Sequence, residues 1–385
     1  MRLTYADRAE TALESKRDDT YRPQCPASGA GPGSRVMKRV RAAIAASAIL
    51  AAGAALTGCG GAGGAASGTT ITLYSGQHEQ TTQSLVSAFE KKTGINVVVR
   101  SDDEDVLADQ IDAEGSHSPA DVFFTENSPP LESLQAKGLL AAVTPTTLAS
   151  TPANLSSPQG DWVGVSARVS VLVYNPSLIS PSQLPTHVSQ LADPQYKGKL
   201  AIAPSETDFQ PIVTAYQHAF GTAATLTWLK KIDANAAGHI YPDNETIAND
   251  VNRGAAAFGI INQYYWFRLQ AEIGAGNMHS KIAFFAPHDP GYVLDVSGAA
   301  VLKSSKNQAA AQKFVAFLVS KQGQEIIATP GTGTGESLSF EYPIAAGVTR
   351  AGEPPFSQLR PYPITIEQLG DGSAAVALMR QAGLI

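Results

Sequence analysis

Cysteine is nearly absent from this chain: Cys25 and Cys59 are the only two among 385 residues. A disulfide framework is thereby excluded, and any exported domain must rest on its hydrophobic core, which a chain of this length with 43% apolar residues can build. Basic residues are in deficit, 28 against 34 acidic. Nine of the basic and five of the acidic residues precede Gly60, so the remainder holds 19 basic and 29 acidic, a net charge of about −10. No basic stripe runs along it, which argues against a nucleic-acid partner, while an acidic surface is compatible with a cationic ligand. No period of 20–50 residues repeats, so a solenoid is excluded. Catalytic signatures are missing too. There is no G-x-S-x-G and no Walker-type loop, and His78-Glu79 is followed by Thr82 where an H-E-x-x-H zinc motif needs its second histidine.

What is present begins with a leader. Residues 1–36 are polar and aperiodic and read as disordered, or as not translated at all, with translation starting at Met37. Met37-Lys38-Arg39-Val40-Arg41 is basic, and the almost wholly apolar run Ala42 to Leu56 is too short to cross a bilayer comfortably but suits a signal-peptide core. The run ends in Leu56-Thr57-Gly58-Cys59, which resembles a lipobox. Residues 37–58 are therefore expected to be a lipoprotein signal peptide and Cys59 the lipidated residue, anchoring the protein extracytoplasmically to the cell membrane. Residues 59–69 are its Gly-rich flexible tether.

The chain beyond Thr70 alternates strand and helix signals. Ile71–Tyr74 and Val97–Val99 read as strands flanking a helix whose apolar positions Leu85, Val86 and Phe89 share a face before Gly94 stops it. A polar helix near 103–114 leads to Asp121–Phe124, a buried-strand run, and Ser128-Pro129 reads as a helix N-cap. This rhythm predicts a doubly wound parallel sheet. A second region starts with a strand at Val169–Tyr174, has strands near 200–203 and 257–261 with helices near 209–219 and 244–253, and ends in a strand at Val293–Leu302 and a helix over 306–328. Gly331–Gly335 reads as a mobile turn. Two α/β lobes joined by crossing segments result, and ligands in such folds sit at the carboxyl ends of strands, in the cleft between lobes.

Three such strand ends carry candidate ligands. In Phe258–Trp266 an apolar strand ends, Asn262 can cap, and Tyr264 and Tyr265 open a helix. Successive side chains there are about 100° apart, so both hydroxyls can aim into one cleft. Phenolate is a hard anionic donor with a free pKa near 10, displaced from its proton readily only by a highly charged hard cation such as Fe³⁺. Packed core tyrosines with satisfied hydroxyls are the other reading. His78 follows the first strand, as a cleft residue or an exposed one at a helix start. Glu126 follows Phe124-Thr125, as a ligand or as an acid favoured by a helix dipole.

Taken in order, Tyr74–His78, Phe124-Thr125-Glu126, Ile261–Trp266, Val296–Val301 and Phe340–Pro343 resemble the motifs of the bacterial periplasmic ferric-ion-binding protein family. The resemblance runs from about Thr70 to about Val348. It implies a two-lobe class II periplasmic-binding-protein fold with a central cleft, lobe 1 being 70–168 plus about 295–345 and lobe 2 about 169–294 plus 346–385. It implies Fe³⁺ held by His78, Glu126, Tyr264 and Tyr265, leaving about two positions of an octahedral shell for a synergistic anion or water. Anion contacts would fall on Ser205, Asn244, Asn262 and Arg168, Arg168 being equally readable as a surface ion pair. Ser205-Glu206-Thr207 departs from the family's Ser-Gly-Ala and brings a negative charge to that pocket. A monomer that is no enzyme, delivering iron to an ABC permease and its ATPase, is the implied role. Rivals are a same-fold binder of an organophosphonate, sulfate or polyamine, and an extracytoplasmic metalloenzyme.

Overall fold

A computed structural model describes residues 68–329, 339–350 and 354–385. The expected leader, Cys59, and the tether as far as Ser67 lie outside the described residues, as does the expected turn Gly331–Gly335. Among the described residues no helix is long and apolar enough to cross a membrane.

Two parallel crossover units open the fold: β1 (Thr70–Ser75), α1 (Glu79–Thr93), β2 (Asn96–Ser101), α2 (Glu104–Glu114) and β3 (Val122–Phe124). The α1 face expected from the sequence is buried, and Phe89 packs edge-on against Phe314 with ring centroids 5.0 Å apart. Next come α3 (Pro129–Ala136), β4 (Leu140–Ala141) and α4 (Pro145–Leu148), then β5 (Trp162–Tyr174). All 13 residues of β5 are buried, as a strand covered on both faces requires. It starts seven residues before the expected Val169, because Trp162–Arg168 pairs with a strand from much later in the chain.

The following stretch contains β6 (Leu200–Ala201), α5 (Gln210–Phe220), α6 (Thr222–Asn235), α7 (Asn244–Asn252), β7 (Phe258–Asn262), α8 (Gln263–Ile273) and β8 (Lys281–Ala283). The chain returns through β9 (Leu294–Leu302), α9 (Gln308–Leu318), α10 (Lys321–Ala328), β10 (Tyr342–Pro343), α11 (Ile366–Leu369) and α12 (Ser373–Ala382). The helix expected over 306–328 is two helices, since Ser320 caps a new one by accepting the Gly323 amide at 3.3 Å.

The sheet order is β2-β1-β3-β9-β5-β7-β6, with β4, β8 and β10 joining at the side. The parallel sheet expected from the opening strand-helix rhythm is found among β1, β2 and β3, and the sheet as a whole is mixed. Pairs β1–β2, β1–β3 and β6–β7 are parallel, but β9 runs antiparallel to β3 and β5, and β5 antiparallel to β7. The cause is β5 itself: its first half pairs with β9 and its second half with β7, so one strand serves both α/β units as the crossing segment. The mixed α/β fold has the two-lobe periplasmic-binding-protein architecture.

Candidate metal centre

Four strand ends supply the cleft. After β1 the chain turns through Gly76 and Gln77 to His78 at the start of α1. The turn lies so close to α2 that a Cβ on Gly76 would sit 2.4 Å from the Glu104 Cβ, which only glycine avoids. Gln77 is buried, donating to Ser297 Oγ at 3.0 Å and accepting the His78 amide at 2.8 Å, which fixes where the imidazole starts.

After β3, Glu104 Oε2 accepts the amides of Glu126 at 2.7 Å and Asn127 at 2.9 Å, and its Oε1 accepts Asn127 Nδ2 at 2.9 Å. One buried carboxylate thus clamps the loop that presents Glu126. Ser128 occupies the N-cap of α3 as expected, but its hydroxyl donates to Asp295 Oδ1 at 2.6 Å instead of capping.

After β7, Asn262 is the N-cap residue of α8 without a side-chain cap bond, and Gln263 Oε1 accepts the Val169 amide at 2.9 Å, tying the helix start to β5. Tyr264 and Tyr265 then lie side by side, ring centroids 4.2 Å apart. After β6, the loop to α5 carries Glu206 and Asp208.

These ends bring the expected ligands together. His78 Nε2 contacts Glu126 Oε1 directly, and the imidazole centroid is 5.2 Å from the Tyr264 ring and 6.1 Å from the Tyr265 ring. The Tyr264 hydroxyl is 3.4 Å from Glu126 Oε1 and 3.5 Å from Asp208 Oδ2, while the Tyr265 hydroxyl donates to Glu206 Oε1 at 3.0 Å. Both tyrosines are buried, but their hydroxyls face carboxylates at the cleft, not apolar core. The cleft encloses about 510 Å³, lined by His78, Glu126, Glu206 and Tyr265 together with Asp102, Asp103, Asp243 and Glu245.

The residues expected to meet an anion do not assemble as such. Ser205 is exposed. Asn244 and Asn262 line a small separate pocket with Asp208. Arg168 is neither at the cleft surface nor in a surface ion pair. It is fully buried, paired with Glu341, bonded to Asn127 Oδ1 at 3.2 Å, and set 5.4 Å from the Tyr264 ring centroid.

Electrostatics divides the donors. Burial opposes the charge on Glu126, but His78, with Arg168 and Arg268 behind it, outweighs that and draws its pKa down to about 2. Burial pushes both tyrosines well above the ordinary phenol value, reinforced by Asp208 and Glu126 at Tyr264 and by Asp208 and Glu206 at Tyr265. Glu206 is raised by burial and by the charges of Asp208 and Glu126. Protons therefore bridge the oxygens on one side of the cleft, and a cation must displace them to bind. Among the described residues no group of three or more His, Cys, Asp or Glu side chains is arranged to hold a metal; the phenols of Tyr264 and Tyr265 are further hard oxygen donors at the same cleft.

Sequence reasoning missed Glu104, Asp208, Arg268 and Glu341. Arg268 lies one turn beyond the tyrosines on α8 and sets Nη1 3.0 Å from the His78 ring nitrogens. Glu341 stood inside a quoted motif, a signal that could have been followed. For Glu104, in the first turn of a polar helix, only the closeness of Gly76 reveals the role.

A cleft between two α/β lobes, walled by donors from several strand ends, defines a solute-binding protein. The model of the bacterial extracellular solute-binding proteins matches residues 71–332. The chain belongs to that family, and within it to the ferric-ion-binding periplasmic proteins. It is 39% identical over 328 residues to the Fe(3+)-binding periplasmic protein of Serratia marcescens, covering 84% of this chain and 94% of that one. It is 36% identical over 317 residues to the major ferric iron-binding protein of Neisseria meningitidis, covering 82% and 93%. The structure of iron-bound HitA from Pseudomonas aeruginosa is similar at a TM-score of 0.75 and 38% identity, covering 82% of this chain and 99% of that one.

Proposed function

We propose that this chain captures Fe³⁺ outside the cytoplasm and delivers it to an ABC permease. The observation that carries the reading is the meeting of His78, Glu126, Tyr264 and Tyr265 from three separate strand ends at one acidic cleft. Relatives bearing ferric-iron-binding names support it. The acids around the opening disfavour sulfate and organophosphonates, and a polyamine has no need of paired phenols. Residues 70–168 with about 295–345 form one lobe and about 169–294 with 346–385 the other, a division supported by the change of β5 partner and by the packing of α12 on α5 and α6.

The chain is a binder, not a catalyst. Fe³⁺ draws the two walls together by supplying the charge that displaces the tyrosine protons, and the closed form docks as a monomer on the permease. Lipid on Cys59 holds the domain at the membrane. Water or a small anion completes the shell in the reading taken from the resemblance. Titration of the purified chain with ferric citrate, followed by visible absorption, is the test. A phenolate-to-iron charge-transfer band saturating at one ion per chain is expected, and a protein that stays colourless overturns the reading.

A further inference from the structure

We infer that Glu104 is a positioning residue for ion capture. From the first turn of α2 it fixes, at a single point, the loops that present His78 and Glu126 and, through Asn127, the opposite wall beside Tyr264. The inference rests on the ferric-iron reading above and deepens it by identifying what keeps the ligands in register. It adds no ligand to the ion.

A buried carboxylate is costly unless its oxygens are hydrogen-bonded, and Glu104 is only 5% exposed. Its oxygens are spent on one loop: Oε2 accepts the Glu126 and Asn127 amides at 2.7 and 2.9 Å, and Oε1 accepts Asn127 Nδ2 at 2.9 Å. The main chain of the same residue closes on the other ligand loop. A Cβ built on Gly76, two residues before His78, would lie 2.4 Å from the Glu104 Cβ and 2.7 Å from its Cα. The Gly76 amide in turn donates to the Phe124 carbonyl at 2.8 Å, two residues before Glu126. The distance between the two loops is thus set by the main chain of Glu104 on one side and by its carboxylate on the other.

Asn127 passes the constraint across the cleft. Its Nδ2 donates to Glu104 Oε1 and to Asp208 Oδ1, each at 2.9 Å, while its Oδ1 accepts Arg168 Nη1 at 3.2 Å. Turning the amide over would aim its N–H groups at the guanidinium, so its orientation is fixed. Asp208, held also by Asn244 Nδ2 at 2.7 Å, then sets Oδ2 3.5 Å from the Tyr264 hydroxyl. Glutamine is the informative replacement for Glu104 because it keeps the shape and spoils the bonding. One orientation of its amide sets an NH₂ against the two main-chain donors, and the other sets it against Asn127 Nδ2. Asn127 has no free turn with which to answer.

The experiment compares the full chain with Glu104→Gln, Glu126→Ala and the double variant, each loaded from ferric nitrilotriacetate. Binding is read by iron retained against a competing chelator and by the charge-transfer band. Glu104→Gln is expected to lose about tenfold in affinity, with the band at its wild-type wavelength because both phenols stay in place. In the Glu126→Ala background the same change is expected to cost less than about twofold, since a side chain that acts by presenting Glu126 has nothing left to present. An equal loss in both backgrounds, a displaced band, or wild-type affinity in Glu104→Gln overturns the inference while leaving iron capture standing. Absence of a band in every chain, wild type included, overturns the iron reading and this inference with it. Circular dichroism and urea unfolding check the fold of each variant. If Glu104→Gln does not fold, Asn127→Ala, which keeps both main-chain bonds to Glu104, takes its place in the cycle with the same expected pattern.

Discussion

The two walls of the cleft are built on opposite electrostatic plans. On one, Glu126 faces His78 with arginines behind it and is held ionised. On the other, Tyr264, Tyr265, Glu206 and Asp208 are pushed toward their protonated forms by burial and by one another. The ionised wall can attract a cation at once, whereas the protonated wall yields its oxygens only to a cation charged enough to expel protons. If Fe³⁺ is the ion captured, as proposed, the difference teaches where selectivity would reside: attraction is generic, and expulsion of phenolic protons is reserved for hard, highly charged ions.

Breaking the protonated wall should have the largest effect. The double change Tyr264→Phe, Tyr265→Phe is expected to weaken Fe³⁺ binding by on the order of 10⁴-fold and to abolish the visible band, measured by chelator competition. A surviving band would place the phenolates elsewhere. The scaffold joining the walls comes next. Arg168→Met leaves Glu341 buried without its partner and should cost about 3–5 kcal/mol in urea unfolding, though no cleft-lining atom is removed.

The comparison is sharpened by pH. The raised tyrosine pKa values mean that both phenols are protonated across roughly pH 5–8 and that each must release a proton on binding. Affinity should therefore rise with pH, on the order of 100-fold per unit, in isothermal titrations run in buffers of different ionisation heat. A pH-independent affinity would show that the phenols do not deprotonate.

On the ionised wall, His78→Ala is expected to weaken binding by about 10–100-fold while leaving the phenolate band visible. The smallest effect belongs to a control away from the cleft. Glu132 accepts the Trp162 indole N–H at 3.1 Å, and burial raises its pKa to about 7. Between its ordinary value and about 7 the unfolded chain is ionised while the folded chain keeps the proton, so stability falls as pH rises through that window. Glu132→Gln should raise Tm by about 2–4 °C at pH 8, scarcely change it at pH 4, and leave iron binding alone.

Much of this was legible in the residues. The α1 stripe Leu85, Val86, Phe89 announced a helix packed on a sheet, and the apolar run before Tyr264-Tyr265 announced a strand ending in a helix, which is where both rings are found. The anion-pocket departure at Glu206 could also be read as misplaced charge. Other features could not be read locally. The strand β5 begins at Trp162 because of pairing with β9, more than 120 residues later, and no nearby residue records that partner. Arg168 looked like a surface or anion-binding cation because its partner Glu341 is likewise distant in sequence. Helix α6 went unread because its apolar positions are interrupted by threonines, Thr222, Thr225 and Thr227, that weaken the period. The Glu104 clamp depends on a backbone approach at Gly76 that only three dimensions display.

The strand β5 has a mechanical meaning as well. Its ladder passes from β9 to β7 between Val169 and Ser170, immediately beside the buried Arg168. At that peptide the chain answers to both partners at once: the Ser170 amide donates to the Val293 carbonyl at 2.9 Å, while the Val169 amide donates to Gln263 Oε1 at 2.9 Å. One buried thirteen-residue strand thereby carries both ladders, and the guanidinium beside the changeover stands 5.4 Å from the centre of the Tyr264 ring, so the join between the two ladders and the floor of the cleft are a single packed unit.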